Sequence, residues 1–177
     1  MDELLGFFNF FDSLLYIAIF LFIGSVVLYI ILSINEYQKT KEYNRMIRDK
    51  VERLTVNAVE ISPEEFLEIR KMNQRGRGEL LYSKNYNFSG IYILHNKSKD
   101  LYYIGQGKKV YDRVYNHFAG RGNGDVYADY KYGDKWMIRM VSLEKSGFNS
   151  LNELERTFIK NYKSYENGYN RTRGNRI

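Results

Sequence analysis

Cysteine is absent from this 177-residue chain and proline occurs once. The first absence excludes disulfides, thiolate zinc sites and a cysteine nucleophile, and it fits a reducing compartment. The second, set beside 17 Tyr and 11 Phe, argues against a disordered chain. Charge is missing from the front of the sequence: Asp2, Glu3 and Asp12 are the only charged residues before Glu36. The whole chain carries 27 Lys and Arg against 21 Asp and Glu, a net charge of +6, so the part beyond residue 35 is more basic than the total implies. Polyanions are its expected partners.

What fills the uncharged stretch is the run LLYIAIFLFIGSVVLYIILSI, Leu14 to Ile34. It is long enough, as a helix, to cross a hydrocarbon core of about 30 Å. A secretory signal peptide would need a basic start, a shorter apolar core and a small-residue cleavage site, and MDELLGFF supplies none of them. The run is therefore read as a single retained transmembrane helix within an N-terminal segment 1–34. Lys39, Lys41, Arg45, Arg48, Lys50 and Arg53 follow it, so the positive-inside rule expects the N-terminus outside and the remainder in the cytoplasm.

Residues 35–79 are expected to form a helical stalk or linker, with Tyr43, Ile47, Val51 and Leu54 as an apolar stripe, read as a solvated spacer in preference to a dimerising coil. Within it a helix starts at SPEEFLEIRKM, with Ser62 as N-cap, Pro63 as first helical residue and Glu65 as capping-box partner. Gly76 and Gly78 mark the boundary before a domain at 80–177.

In that domain GIYILHNKSKDLYYIG, Gly90 to Gly105, reads as an antiparallel hairpin around the turn NKSKD. KKVYDRVYNHF is a short helix, residues 119–134 a Gly- and Asp-rich loop, KWMIRMVSL a third strand and SLNELERTFIKNYKSY a final helix. On the short helix Arg113 and His117 stand four residues apart and share a face. On the last helix Glu155 lies one turn from both Leu151 and Ile159, so its carboxylate borders the apolar stripe and calls for a cation. Glu153, three residues after Ser150, is assigned to a capping box instead.

Gly90-Ile91-Tyr92, Tyr103-Ile104-Gly105, then Arg113, His117, Glu155 and Asn170, in this order, resemble the GIY-YIG nuclease domain over about Ser89 to Arg173. The resemblance implies an α+β fold: a small three-stranded antiparallel sheet flanked by helices, here preceded by the transmembrane helix and stalk. It implies an endonuclease hydrolysing DNA phosphodiester bonds with one divalent metal, Mg²⁺ or Mn²⁺, held by Glu155. Tyr92, Tyr103, Arg113, His117 and Glu155 form the implied catalytic set. Arg113 would steady phosphate charge, Tyr92 would activate the attacking water, and Tyr103 and His117 would position water and phosphate. The sequence leaves open which of Tyr92 and His117 takes the proton.

Gly90 and Gly105 are structural residues, expected to let a phosphodiester approach closely. Lys108, Lys109, Asn170, Arg171, Arg173 and Arg176 are candidate nucleic-acid contacts, Asn170 having a backbone-bridging alternative. Asp125 and Asp129 match no part of the family pattern. The chain shows no zinc finger or helix-turn-helix pattern, so cleavage of low sequence preference is expected, acting on incoming or foreign DNA near the membrane. The alternatives are a non-catalytic membrane-bound DNA tether and a domain that binds a protein. The partners are then DNA and the lipid bilayer, with a homo-oligomer or a regulatory protein left open.

Overall fold

The computed structural model describes residues 2–74 and 87–175, with side chains described over 14–71 and 87–175. The boundary glycines Gly76 and Gly78, the division placed at 79/80 and Arg176 lie outside the described residues. Two compact units are present, Met1–Met46 and Ile47–Ile177.

The first unit is helical. Helix α1 runs unbroken from Asp2 to Val56, and its described residues before Met46 are exposed on every side. The most apolar window of this stretch has a mean hydropathy of 2.8. Among the described residues it is the one helix long and apolar enough to cross a membrane.

The second unit is α+β, as the sequence predicts. It holds the last turns of α1, then α2 (Pro63–Gln74), β1 (Gly90–Asn96), β2 (Leu101–Gly107), α3 (Val110–Phe118), α4 (Gly124–Lys131), β3 (Trp136–Ser142) and α5 (Leu151–Tyr162). The strands form one antiparallel sheet in the order β2-β1-β3. Central β1 is buried along its whole length, which is why its sequence lacks polar alternation.

Two apolar layers cover the sheet. Tyr92 and Leu94 on one face meet Val110, Tyr111, Val114 and Phe118 of α3. Ile91, Ile93 and Ile104 on the other meet Leu154, Phe158 and Ile159 of α5. The later part of the segment read as a stalk belongs to these layers. Val51 and Phe66 are completely buried, and Ile47 and Leu54 pack beside Val51. Ile61 adds an antiparallel bridge to Ile138 of β3. Ile47, Val51 and Leu54 of the stripe read as a spacer's apolar side thus face the domain, while Tyr43 is exposed.

Local signals account for the helix starts. Ser62 Oγ accepts from the Glu65 amide at 3.2 Å, and Glu65 accepts from the Ser62 amide at 2.8 Å, completing the expected capping box. The stretch 119–134, expected to be a loop, contains α4. Asn123 Oδ1 accepts from the Asp125 and Val126 amides at 2.9 and 3.1 Å, and Val126 is fully buried. A side-chain cap and one buried anchor make a helix from loop-like composition.

Candidate active site

The site grows around β2, an edge strand of the sheet. Antiparallel register sets Tyr92 opposite Gly105 and Leu94 opposite Tyr103, so the two tyrosines are diagonal neighbours on one face. The Tyr92 ring lies across Gly105: a Cβ there would stand 2.8 Å from its Cε2 and closer still to its hydroxyl. Gly105 makes room for a ring, and Gly90 makes room for the Val141 carbonyl of β3. Neither glycine is opened toward a phosphodiester, which revises that expectation.

Helix α3 brings Arg113 and His117 to the same face. Tyr92 Oη lies 3.0 Å from His117 Nε2, and the Tyr103 ring is centred 4.7 Å from the imidazole. The Tyr92 and Tyr103 rings are centred 6.1 Å apart. His117 Nδ1 accepts from the Asn123 amide at 3.0 Å. From the other face α5 delivers Glu155, only 8% exposed. Its Oε2 accepts from Gln106 Nε2 at 2.9 Å, and Gln106 also donates to Asn152 at 2.8 Å. Glu153 stays structural, its backbone N–H donating to Ser150 Oγ at 3.2 Å and its carboxylate accepting from the Asn149 amide at 3.1 Å.

Around these groups lies a polar cleft of about 440 Å³, lined by residues that include Tyr103, Arg113, His117 and Glu155. Tyr92 is fully buried and is not part of the lining. The resemblance implies Tyr92 at the water, whereas the structure brings Tyr103 to the wall and keeps Tyr92 behind it. The cause is the register, which tucks the Tyr92 ring over Gly105 and beneath Tyr103 and His117.

Burial shifts Tyr92, Tyr103, His117 and Glu155. It raises Tyr92, with Tyr103 adding to the rise and Arg113 opposing it. It raises Tyr103, against the adjoining Tyr92 phenol and the charge of Arg113. His117 falls to about 4, through burial and the nearby Arg113, so the imidazole is neutral at pH 7. Glu155 is raised by burial and partly restored by Gln106, the Asn175 amide and Arg113. A carboxylate so placed gains from a cation.

The nucleic-acid candidates separate. Arg171 lines the cleft and pairs with Asp125 at 3.0 Å, which gives Asp125 a partner. Lys108 and Lys109 are exposed beyond the end of β2 and do not line the cleft. Arg173 stacks over Tyr165 at 5.3 Å and borders a different hollow, on the outer side of α5. Asn170 lines the cleft, and its side-chain amide is engaged within the chain: its Nδ2 donates to the Ile104 carbonyl at 2.7 Å and its Oδ1 accepts from the Ile104 amide at 2.8 Å. Both ends of the amide are spent on β2, the bridging alternative of the sequence reading. Asp129 accepts from Tyr169 Oη at 2.6 Å and pairs with Lys99 at 2.7 Å, a purely structural link.

Sequence reasoning missed Gln106, Asn123 and Arg121, the last also on the cleft wall. Only Gln106 had a legible signal, since alternation along β2 puts it on the α5 face, opposite Tyr103 and Gly105.

Residues 88–170 match the family model described as the GIY-YIG catalytic domain. No curated protein and no solved structure matches the chain.

Proposed function

From a chain that carries a GIY-YIG catalytic domain, and is therefore a phosphodiester-hydrolysing endonuclease, we infer a membrane-tethered enzyme that cuts DNA with little sequence preference. The observation that carries this reading is the convergence of Tyr103, Arg113, His117 and Glu155 on one polar cleft. A scissile phosphate seated there meets the Arg113 guanidinium, whose planar donors match phosphate oxygens in pairs. A phenol hydroxyl lies at the wall to receive the proton of the attacking water, and the polar lining suits an anionic backbone.

Endonucleases of this family in general depend on a divalent metal. Among the described residues no group of three or more His, Asp or Glu could enclose one. Glu155 is a single buried carboxylate whose charge lacks full compensation, and this fits a hard cation that draws its other ligands from water and phosphate oxygens. Glu155 would hold it, with Gln106 fixing the carboxylate, and Mg²⁺ is our assignment. When bound, such an ion supplies positive charge at the phosphate. Burial alone disfavours the ionised form of Glu155.

The long apolar helix supports the tether, and the basic residues from Lys39 to Arg53 support a cytoplasmic catalytic domain. Cutting would then be confined to DNA beside the membrane, so DNA entering the cell is the proposed substrate.

The test uses the full chain in detergent micelles with supercoiled plasmid, with Mg²⁺ or with EDTA, beside Glu155→Gln. We expect Mg²⁺-dependent nicking, a loss of at least about 100-fold in Glu155→Gln by the scale of lost transition-state charge stabilisation, and retained DNA binding. Unchanged nicking in EDTA or in Glu155→Gln refutes the assignment. Binding without nicking in wild type makes the chain a DNA tether. Extraction of the chain from membranes by alkaline carbonate would refute the anchor.

A further inference from the structure

We propose that Arg121 is a second phosphate-binding residue of the cleft, holding the phosphodiester next to the one that is cut. It is a positioning residue and takes no part in the bond-breaking step. The inference rests on the nuclease reading for its ligand, an anionic nucleic-acid backbone, and on the loop between α3 and α4 for the residue.

Charge decides which group is available. The cleft lining carries three guanidiniums, Arg113, Arg121 and Arg171, against the one carboxylate of Glu155. Arg113 serves the scissile phosphate. Arg171 faces Asp125 at 3.0 Å, so a phosphate must compete for it. The ion pairs among the described residues include neither Arg113 nor Arg121. A guanidinium keeps its charge at pH 7. Arg121 therefore offers the cleft a positive charge that no carboxylate of the described chain pairs with.

The loop fixes where that charge stands. The Arg121 N–H donates to the Asn116 carbonyl at 2.7 Å, and two residues later the Asn123 N–H donates to His117 Nδ1 at 3.0 Å. Arg121 is thus tied on both sides to the helix that carries Arg113 and His117. Its neighbours permit so tight a return: Gly120 has a φ of 77°, which glycine adopts at no steric cost, and a Cβ on Gly122 would stand 2.6 Å from His117 Nδ1. The side chain has a seat as well. Its Cζ lies 5.2 Å from the centre of the Tyr115 ring, and that ring packs on the core and holds Arg70 at 3.8 Å. A guanidinium held over a ring keeps its in-plane N–H donors free for an anion.

The two walls of the cleft then differ. Glu155 comes from α5, and Arg121 from the α3–α4 loop. A strand laid across the edge of β2 meets Arg113 and Glu155 at one phosphate and Arg121 at the next. Contact with a phosphate carries no sequence information, so this anchor raises affinity without adding a preference for bases.

The test uses the full chain in detergent micelles. Binding to labelled duplexes of two unrelated sequences is measured in EDTA over a salt series, and plasmid nicking is measured in Mg²⁺, with folding checked by circular dichroism. We expect Arg121→Ala to bind both duplexes about 10-fold more weakly at fixed salt, the scale of one charge-assisted hydrogen bond. The slope of log K against log salt should become shallower by about 0.9, the share of one phosphate contact. In nicking, KM should rise about 10-fold with kcat within about twofold of wild type, because the contact is the same before and during the reaction. Arg121→Lys keeps the charge without the planar group and should recover the wild-type slope. A wild-type slope in Arg121→Ala overturns the proposal, and a lowered melting temperature beside it would reduce Arg121 to a cover for Tyr115. A Lys variant as shallow as the Ala variant, or a loss confined to kcat, also overturns it. If wild type binds DNA and never nicks, the nuclease reading fails, while the salt slope still decides the role of Arg121.

Discussion

Replacing Gly105 by Ala adds one carbon at the most crowded point of the site, and its cost follows from the packing. The new Cβ would overlap the Tyr92 ring, with Cε2 at 2.8 Å, so one of the two must move. Gly105 sits in a paired strand and Tyr92 is fully buried in the central strand, so neither has free space. Overpacking of this kind costs about 1–3 kcal/mol. Displacing the Tyr92 hydroxyl also weakens its bond to His117, worth about 0.5–1.5 kcal/mol. A total of about 1.5–4.5 kcal/mol lowers the melting temperature by roughly 3–18 °C in a chain of this size. The assay is a thermal melt of the detergent-solubilised chain beside nicking rates. Gly124→Ala is the control, because a Cβ at Gly124 meets nothing within 4 Å. If Gly105→Ala melts with wild type and nicks at its rate, the account of the Tyr92 seat is refuted.

Three further outcomes can be measured. Phe66→Ala empties a fully buried position in α2 and should cost about 3–5 kcal/mol in denaturant unfolding, whereas a negligible loss would return residues 47–74 to the role of a spacer. Asn170→Ala strips both hydrogen bonds from the Ile104 backbone and should cost about 1–3 kcal/mol, with DNA affinity at matched salt unchanged; a selective loss of affinity would restore it as a nucleic-acid contact. Because His117 falls to about 4 in the folded state, the unfolded chain binds a proton there between about pH 6.5 and 4 that the folded chain does not. Stability from this group is therefore present above pH 6.5 and lost as pH falls through that window. Unfolding midpoints at pH 4.5 and 7 should differ less in His117→Gln than in wild type, and equal differences would contradict the burial of a neutral imidazole.

The parts of this architecture visible in the sequence are those written in local spacing. Alternation and turn residues mark the hairpin, a four-residue interval joins Arg113 to His117, and a cap separates Glu153 from Glu155. What escaped depends on partners distant in sequence. The Ile47, Val51 and Leu54 stripe was legible, but a helical stripe does not name the surface it covers. Helix α4 is eight residues long, too short for periodicity to show against its Gly and Asp content. Tyr92 and Tyr103 look equivalent as letters, and only the diagonal register makes one buried and the other accessible. Asn170 carried backbone bridging as an alternative in the sequence, but which backbone it bridges becomes apparent only when β2 proves to be an edge strand.

That clamp bears on how the protein behaves at high concentration. An edge strand displays a row of unpaired donors and acceptors that can template pairing with another chain. On β2 the Ile104 amide and carbonyl are both occupied by Asn170, and the Tyr102 carbonyl accepts from the Tyr169 amide at 2.9 Å. The residues after α5 thus stand in for a fourth strand without being one. A chain cut before Tyr169 would expose this border and become prone to edge-to-edge association, so the segment that closes the domain also keeps its copies apart.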